Sequence, residues 1–341
     1  MSAERSDHVS VVIPTMGRAT LRAAVRSALA QTGVECEVVL VVDAPSDDQL
    51  ASRMDDVVSD AHHFISPGSR STVQWIASGG KRGGGRCRQI GTELCTKEWV
   101  SYLDDDDQWH PTKIRRQLDA LRLSGAESTL VSCRLRSRPS NESQWSRPVP
   151  RHVYDGRTNL PEWLFHNRRL GVDRNTIQTS TFLLQTSVAL KIGWREIPRH
   201  QDWDFLLRAS ELFGVLIVQL DDVLVDCVAG SPSSISAKGA WKPSYAWIAE
   251  MSPNVPSRAM TDFLLGQCAR YALQSNDLVS FLHLVREAYA TARPSVRANL
   301  LALSGLLSRS RFDRLSHRGR ADSAGKRVGD ALSPDGRPTS Q

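Results

Sequence analysis

Val100-Ser101-Tyr102-Leu103-Asp104-Asp105-Asp106-Asp107-Gln108-Trp109 is the stretch whose reading decides the fold. An apolar, β-prone run from Trp99 to Leu103 empties directly into four consecutive carboxylates. Pro111 then opens an amphipathic segment with Ile114, Leu118 and Leu121 on one helix face. Four adjacent acids repel one another and cannot all be buried unpaired, so they either point into water or meet a cation. A solvated acidic turn is the ordinary fate of a charge run. The position argues for more, because ligands of an open α/β sheet bind beyond the carboxyl ends of its strands. Oxygen-only ligands suit Mg²⁺ or Mn²⁺, which take one or two carboxylates and fill their remaining sites with water and substrate phosphates. The stretch therefore predicts a metal-diphosphate site at a strand end.

Upstream, Val9-Ser10-Val11-Val12-Ile13-Pro14-Thr15 reads as a buried strand stopped by proline. Met16-Gly17-Arg18 turns it into a helix from about Leu21 to Gln31, on which Leu21, Ala24, Val25, Ala28 and Leu29 recur at helical spacing. A second apolar strand, Val38 to Val42, ends at Asp43 and the turn Ala44-Pro45-Ser46-Asp47-Asp48. Strand, helix and strand with continuous apolar strands imply a parallel sheet and a right-handed crossover. Residues 49–78 read as a helix and a short strand around His63-Phe64-Ile65. The run from Gly79 to Arg88 reads as a glycine-rich basic loop feeding a helix through Ile90 and Leu94. Glycines let a backbone approach a ligand closely, and a helix N-terminus favours an anion. The run matches neither a P-loop nor the dinucleotide fingerprint, and a flexible surface loop is the plain alternative.

Downstream, residues 134–157 are rich in Arg, Pro, Ser and Asn and read as a mobile excursion. A further apolar section includes Thr179 to Leu184. His200-Gln201-Asp202-Trp203-Asp204 then opens a helix with Leu206, Leu207 and Phe213 inward, followed by strand pieces at Val215 to Val218 and Val223 to Val225. An acid in the first turn of a helix is favoured by the macrodipole, so an N-terminal cap is the alternative to a chemical role for Asp202. Residues 236–256 read as a linker with turn residues, 257–308 as helical, and the stretch beyond about Ser316 as disordered for want of apolar content.

The 341 residues, 40% of them hydrophobic, supply a sizeable core and exclude disorder of the whole chain. A net charge of +6 favours anionic partners. Aromatics are few and not interleaved with the basic loops, which argues against nucleic acid. Six cysteines (Cys36, Cys87, Cys95, Cys133, Cys227, Cys268) without a Cys-x-x-Cys pair signal neither zinc nor a disulfide framework, and reduced thiols in a cytosolic protein are the simpler expectation. No apolar run approaches the ~20 residues of a membrane span.

The order of the pieces resembles the family 2 inverting glycosyltransferases of the GT-A fold over residues 8–228, about two thirds of the chain. The matching residues are Val11 to Thr15 with Arg18; Val41-Val42-Asp43 with Ser46 and Asp48; Arg88 with Gly91 before Leu103 to Trp109; and Gln201-Asp202-Trp203-Asp204 with Arg208. The resemblance implies that Pro14, Thr15 and Arg18 line the nucleotide pocket, that Asp43 accepts from the donor's base, and that Arg88 sits beside the nucleotide and diphosphate. Asp104 and Asp106 match the Asp-x-Asp pair, with Asp104 near the ribose, Asp105 beside it on the donor side, and Asp106 on the metal. Asp202 matches the general base. A departing nucleoside diphosphate needs its charge neutralised, for which a divalent metal with Arg88 or Lys81 would serve. Inversion needs one base that deprotonates the acceptor hydroxyl as it attacks. Ala44-Pro45 in place of a second acid, Gln201 in place of a glutamate, and Cys227-Val228-Ala229-Gly230 in place of a late histidine depart from the family pattern.

The expectation is thus an α/β protein with a GT-A fold, a Rossmann-like mostly parallel sheet flanked by helices and a C-terminal helical appendage. Residues 1–235 would form the glycosyltransferase domain, 236–315 a helical region and 316–341 a disordered basic tail. The function implied is metal-dependent (Mg²⁺ or Mn²⁺), inverting transfer of a hexosyl group from a nucleotide-sugar, with a UDP-sugar expected. The acceptor would be a glycan, a lipid-linked or a small-molecule hydroxyl, as in polysaccharide biosynthesis. A nucleotide-sugar-binding protein without turnover and a metal-dependent phosphatase are the alternatives, and the acid run lacks the hydroxyl or valine that the phosphatase loop would want. A cytoplasmic chain is expected, with the basic tail offering peripheral contact to the inner face of the membrane. Asp204→Asn is expected to matter much less than Asp202→Asn, because two positions along a helix point to different faces.

Overall fold

Val38 to Val42 are shielded from water on both faces, which is why that strand reads as an unbroken apolar run. A computed structural model describes residues 7–45, 47–125, 128–139, 143–166, 175–229 and 240–306. Strands β1 (Asp7–Thr15), β2 (Val34–Val42), β3 (Thr72–Ala77) and β4 (Trp99–Tyr102) pair in parallel in the order β3-β2-β1-β4. The sheet continues through β7 (Leu183–Gln185), β6 (Thr129–Pro139), β8 (Leu216–Ala229) and β5 (Asp107–Trp109). There β7 runs antiparallel to both neighbours, β8 is parallel to β6, and β5 is antiparallel to β8.

Alternation along β2 divides the core. Val38, Leu40 and Val42 pack with Leu21, Ala24 and Val25 of α1 (Leu21–Leu29) and with Leu50 and Met54 of α2 (Asp48–His62). Val39 and Val41 pack on the opposite face with Cys87 of α3 (Gly83–Leu94). Gly91 lets α3 lie directly on the sheet, since a Cβ there would overlap Val12. The register aligns Thr15 with Val42 and Val12 with Tyr102, so Thr15, Asp43 and Asp104 leave the sheet at one edge, the carboxyl edge.

Several boundaries differ from the expectations. His63 to Ile65 form a turn after α2, and the strand lies at 72–77. An edge strand needs only one dry face, so Thr72-Val73-Gln74-Trp75 carries little apolar signal. The glycine-rich loop is shorter than expected, because Gly83, Gly84 and Gly85 already form the first turn of α3. Gly85 is required there by close packing, as a Cβ would run into the Arg195 carbonyl. Residues 134–139 are strand, not a mobile excursion. Their alternating arginines are held by β8, with Arg134 on Asp221 (2.8 Å) and Arg136 on Asp226 (2.5 Å). The two expected strand pieces after residue 215 are one fourteen-residue strand whose register shifts opposite Cys133 and Arg134. The expected linker contains α8 (Trp241–Met251), which buries Trp247, Ile248 and Met251.

Helices α4 (Lys113–Ser124), α5 (Leu160–Phe165), α6 (Thr186–Ile192) and α7 (Gln201–Leu207) flank the sheet. Helix α9 (Ser257–Phe263) runs through a wider turn, Leu264–Ala269, into α10 (Arg270–Gln274), and α11 (Leu278–Thr291) and α12 (Val296–Leu303) follow. Their core is continuous with that of the sheet, since Val12, Val100, Tyr102 and Phe205 share one cluster with Trp247, Phe263, Leu265 and Leu284. The six cysteines are free thiols. Among the described residues no helix is long and apolar enough to cross a membrane. The tail expected from Ser316 lies outside the described residues.

Lys113, the first residue of α4, has no exposed surface. Its Nζ donates to Ser101 Oγ (2.9 Å) and lies 3.9 Å from the centroid of Trp109, and burial pushes its pKa down to about 7. Between that value and the ~10.4 of an unfolded lysine, the unfolded chain binds the extra proton, so stability rises with pH. The melting temperature is expected to climb from pH 7 to about 8.5, above which unfolded cysteine thiols begin to ionise and pull the other way. Lys113→Met should remove this rise. An identical pH profile in parent and variant, read by differential scanning calorimetry, would show that Lys113 is not its source.

Candidate active site

The acid run sorts its four carboxylates by direction. A tight turn closes where the Asp107 amide donates to the Asp104 carbonyl (3.0 Å), and it turns Asp105 and Asp107 inward while Asp104 and Asp106 keep exposed surface. Asp105 is 3% exposed and accepts from Thr15 Oγ1 (2.6 Å) and Arg18 Nη1 (2.9 Å). Asp105, expected on the donor side, anchors two residues expected to line the pocket, and Pro14 stands half-buried beside them at the end of β1. Asp107 accepts from Ser180 Oγ (2.6 Å) and stands opposite Cys227 across the β5–β8 pair. Burial, with Asp104 nearby, pushes the Asp107 carboxyl well above the usual carboxylate range, and burial likewise raises the Cys227 thiol.

Asp106 reaches Arg18 Nη1 at 3.2 Å. Burial and then the charges of Asp104 and Asp105 push its carboxyl up to about 6, with Arg18 opposing. Asp104 accepts from Arg88 Nη2 (2.5 Å), and its amide donates to Ser180 Oγ (3.1 Å). Ser180 thus ties the run at two points, while Trp109 Nε1 donates to the Ser180 carbonyl (2.8 Å). Sequence reasoning missed Ser180. Its signal is three hydroxyl residues, Thr179-Ser180-Thr181, that are buried inside an otherwise apolar section.

Arg88 is buried on α3, with its guanidinium 5.2 Å from the centroid of Trp194. Besides Asp104, it donates to Gln201 Oε1 (2.8 Å), the first residue of α7. One arginine therefore bridges the acid run to the Gln201-Asp202 motif about a hundred residues later. Asp43 lies at the same edge, but its carboxylate accepts from the amides of Arg82 (2.7 Å) and Gly83 (3.1 Å), fastening the N-terminus of α3 to the end of β2. Lys81 is exposed just before that turn.

Asp202 is half-buried and second in α7, behind His200, which takes the N-cap position with φ +62°. Asp202 Oδ1 accepts from the amide of the next residue, Trp203 (2.9 Å), and its side chain does not occupy the N-cap. Burial pushes its carboxyl up to about 6, and Asp104 adds to the rise while the Trp203 amide and Arg88 oppose it. Asp204 faces the other way and is no bystander. It is buried among Arg208 Nε (2.9 Å), Arg195 Nη1 (3.2 Å) and Trp247 Nε1 (3.0 Å), joining α7 to α8 and to the loop before it. Asp204→Asn, expected to slow transfer much less than Asp202→Asn, is expected to cost stability, because it takes the counter-charge from the buried Arg208.

The residues present fit a divalent cation with few protein ligands. Asp106 is a partly exposed carboxylate held above its ordinary pKa by burial and by its acidic neighbours, a cost that a cation would offset. Among the described residues no three acids, histidines or cysteines converge into a cage. Mg²⁺ or Mn²⁺ bridging a diphosphate does not need one, because phosphate oxygens and water complete its shell.

Three comparisons bear on this geometry. The family profile described as Glycosyl transferase family 2 matches residues 10–189. The amylovoran biosynthesis glycosyltransferase AmsB of Erwinia amylovora is 26% identical over 286 residues, 83% of this chain and 90% of its own length. The succinoglycan biosynthesis protein ExoO of Rhizobium meliloti (strain 1021) is 33% identical over 108 residues, 32% of this chain and 28% of its own. Among solved structures, S. aureus TarS 1-349 in complex with UDP-GlcNAc superposes with a TM-score of 0.54 at 16% identity, covering 92% of this chain and 87% of that one.

Proposed function

Because the chain belongs to glycosyl transferase family 2 and is a glycosyltransferase of the GT-A fold, we propose that it transfers a hexosyl group, with inversion and with a divalent metal, from a UDP-sugar to an acceptor hydroxyl. The observation that supports this reading is the bridge of Arg88 between Asp104 and Gln201, which sets the acid run beside the Gln201-Asp202 motif. Asp106 would hold the cation. When bound, the cation neutralises the charge that grows on the leaving diphosphate. Arg88 and Arg18 would take up that charge as the bond from the anomeric carbon to phosphate oxygen breaks. The acceptor oxygen attacks from the opposite face and its proton passes to Asp202, whose pKa of about 6 suits a base working near neutrality.

Relatives named for amylovoran and succinoglycan biosynthesis support a growing polysaccharide, free or lipid-linked, as acceptor. Residues 1–235 would carry the chemistry, and helices within 236–315 would help select the acceptor. On this reading the enzyme works in the cytoplasm, and the basic tail beyond residue 315 draws it toward anionic lipid. UDP-GlcNAc, which TarS holds in its complex, is the first donor to try. A panel of nucleotide sugars is screened by thermal shift with Mn²⁺, with Mg²⁺ and with EDTA. A donor that binds only the folded state raises the melting temperature. Stabilisation by a UDP-sugar that needs the metal is expected, and a shift as large in EDTA would remove the metal from the mechanism.

A further inference from the structure

The last two described helices each show two faces. Inward, Leu284 and Ala288 of α11 and Ala298 and Ala302 of α12 are buried against the segment Leu264–Ala269. Outward, Leu278, Leu282 and Tyr289 of α11 and Val296, Leu300 and Leu303 of α12 are 54–65% exposed. Their spacings, four and seven residues on α11 and four and three on α12, set each trio in one stripe. Tyr289 Oη donates to Asn299 Oδ1 (2.8 Å), which ties the two stripes side by side. Isolated exposed leucines are ordinary on a protein surface, but six large apolar side chains on two joined helices form a patch.

Charge indicates what covers it. Arg286 is exposed on the same α11 stripe, one helical step from Leu282, and Arg293 is exposed just beyond the end of the helix. The acid of α11, Glu287, is turned toward Tyr245, whose hydroxyl donates to it (3.1 Å). The chain then continues through Arg309, Arg311, Arg314, Arg318 and Arg320, against the single acid Asp313. An apolar face rimmed by arginines and followed by a basic stretch matches a bilayer interface, where side chains enter the acyl boundary and cations meet lipid phosphates. We propose that the outer faces of α11 and α12 are a docking surface for an anionic lipid bilayer. The surface lies apart from the acid run and rests on no part of the donor chemistry. It adds an apolar contact to the charge attraction proposed for the tail.

The full chain is sedimented with vesicles of phosphatidylcholine and phosphatidylglycerol, and with phosphatidylcholine alone, at low and high salt. Binding is expected on the anionic vesicles, weakened but not abolished by salt. Leu282→Glu/Leu300→Glu should bind about 100-fold more weakly, tenfold for each leucine. Both side chains are exposed, so an unchanged melting curve is expected to accompany that loss. Absence of parent binding, or vesicle affinity of the double variant within twofold of the parent, overturns the proposal; in the second case the tail alone is the contact. Light scattering supplies a further arm. A parent that is dimeric without lipid and a variant that is monomeric would overturn the proposal in favour of a face between two copies of the chain.

Discussion

Asp202→Asn is expected to lower sugar transfer by about 10²–10⁴ while donor affinity stays within a few fold of the parent. The substitution keeps the side chain's shape and its acceptor for the Trp203 amide and removes only the capacity to take a proton. A base acts chiefly in the transition state, so the loss should fall on kcat. The pH profile offers a second reading. With a carboxyl near 6, turnover in the parent should fall as pH drops through that value, because the proton-bearing form cannot accept from the acceptor hydroxyl. Asp204→Asn serves as the contrast. It is expected to lower the melting temperature, and at a temperature where it remains folded it should retain turnover. Near-parental turnover by Asp202→Asn would leave Asp202 a first-turn carboxylate that the helix dipole favours, and nothing more.

The second large effect is expected at Asp106. Asp106→Ala should abolish Mn²⁺-dependent donor binding by calorimetry, and the apo protein should be no less stable than the parent. The reason for the second half is electrostatic: the carboxyl is held up to about 6 by burial and by Asp104 and Asp105, so removing it relieves repulsion. Arg18 keeps a partner in the variant, because the same Nη1 already donates to Asp105. Metal affinity in the parent should also weaken as pH falls toward 6, since protons compete with the cation for a ligating carboxylate. Parental donor and metal affinity in the alanine variant would place the cation elsewhere.

Of the parallel strands, β1, β2 and β4 were legible because they are dry on both sides, whereas the edge strand β3 was not. Val9 to Thr15, Val38 to Val42 and Trp99 to Leu103 carry their burial in their letters, and the helix between the first two carries the matching period. The other half hid for definite reasons. β6 and β8 place arginines opposite aspartates, so their cross-strand pairs look polar in one dimension and become neutral only when the strands meet. The first turn of α3 is three glycines, residues poorly suited to a helix by propensity, and at Gly85 the Arg195 carbonyl leaves no room for a side chain. Motif order singled out Arg88, Asp104, Asp106 and Asp202, and the structure sets Arg88 on Asp104 and on Gln201, the neighbour of Asp202. Motif order did not reveal that Arg88 clasps Gln201, that Ser180 pins the acid run, or that Asp204 joins two helices. Those roles depend on segments far apart in sequence, and no local pattern encodes them.

The acid run, four identical letters, is a phased element whose length matters more than its charge. Its odd and even positions have opposite environments, Asp105 and Asp107 paired in the interior and Asp104 and Asp106 partly exposed. Deleting one aspartate would subtract a single charge, yet it would also draw Gln108 into the inward position of Asp107 and shift Trp109 from its place against Ser180. Conservative substitutions at single positions are therefore graded perturbations, whereas an insertion or deletion of one residue is a frameshift in three dimensions. Variation in this chain should for that reason be tolerated as poorly in the spacing between Leu103 and Trp109 as in the identity of Asp106.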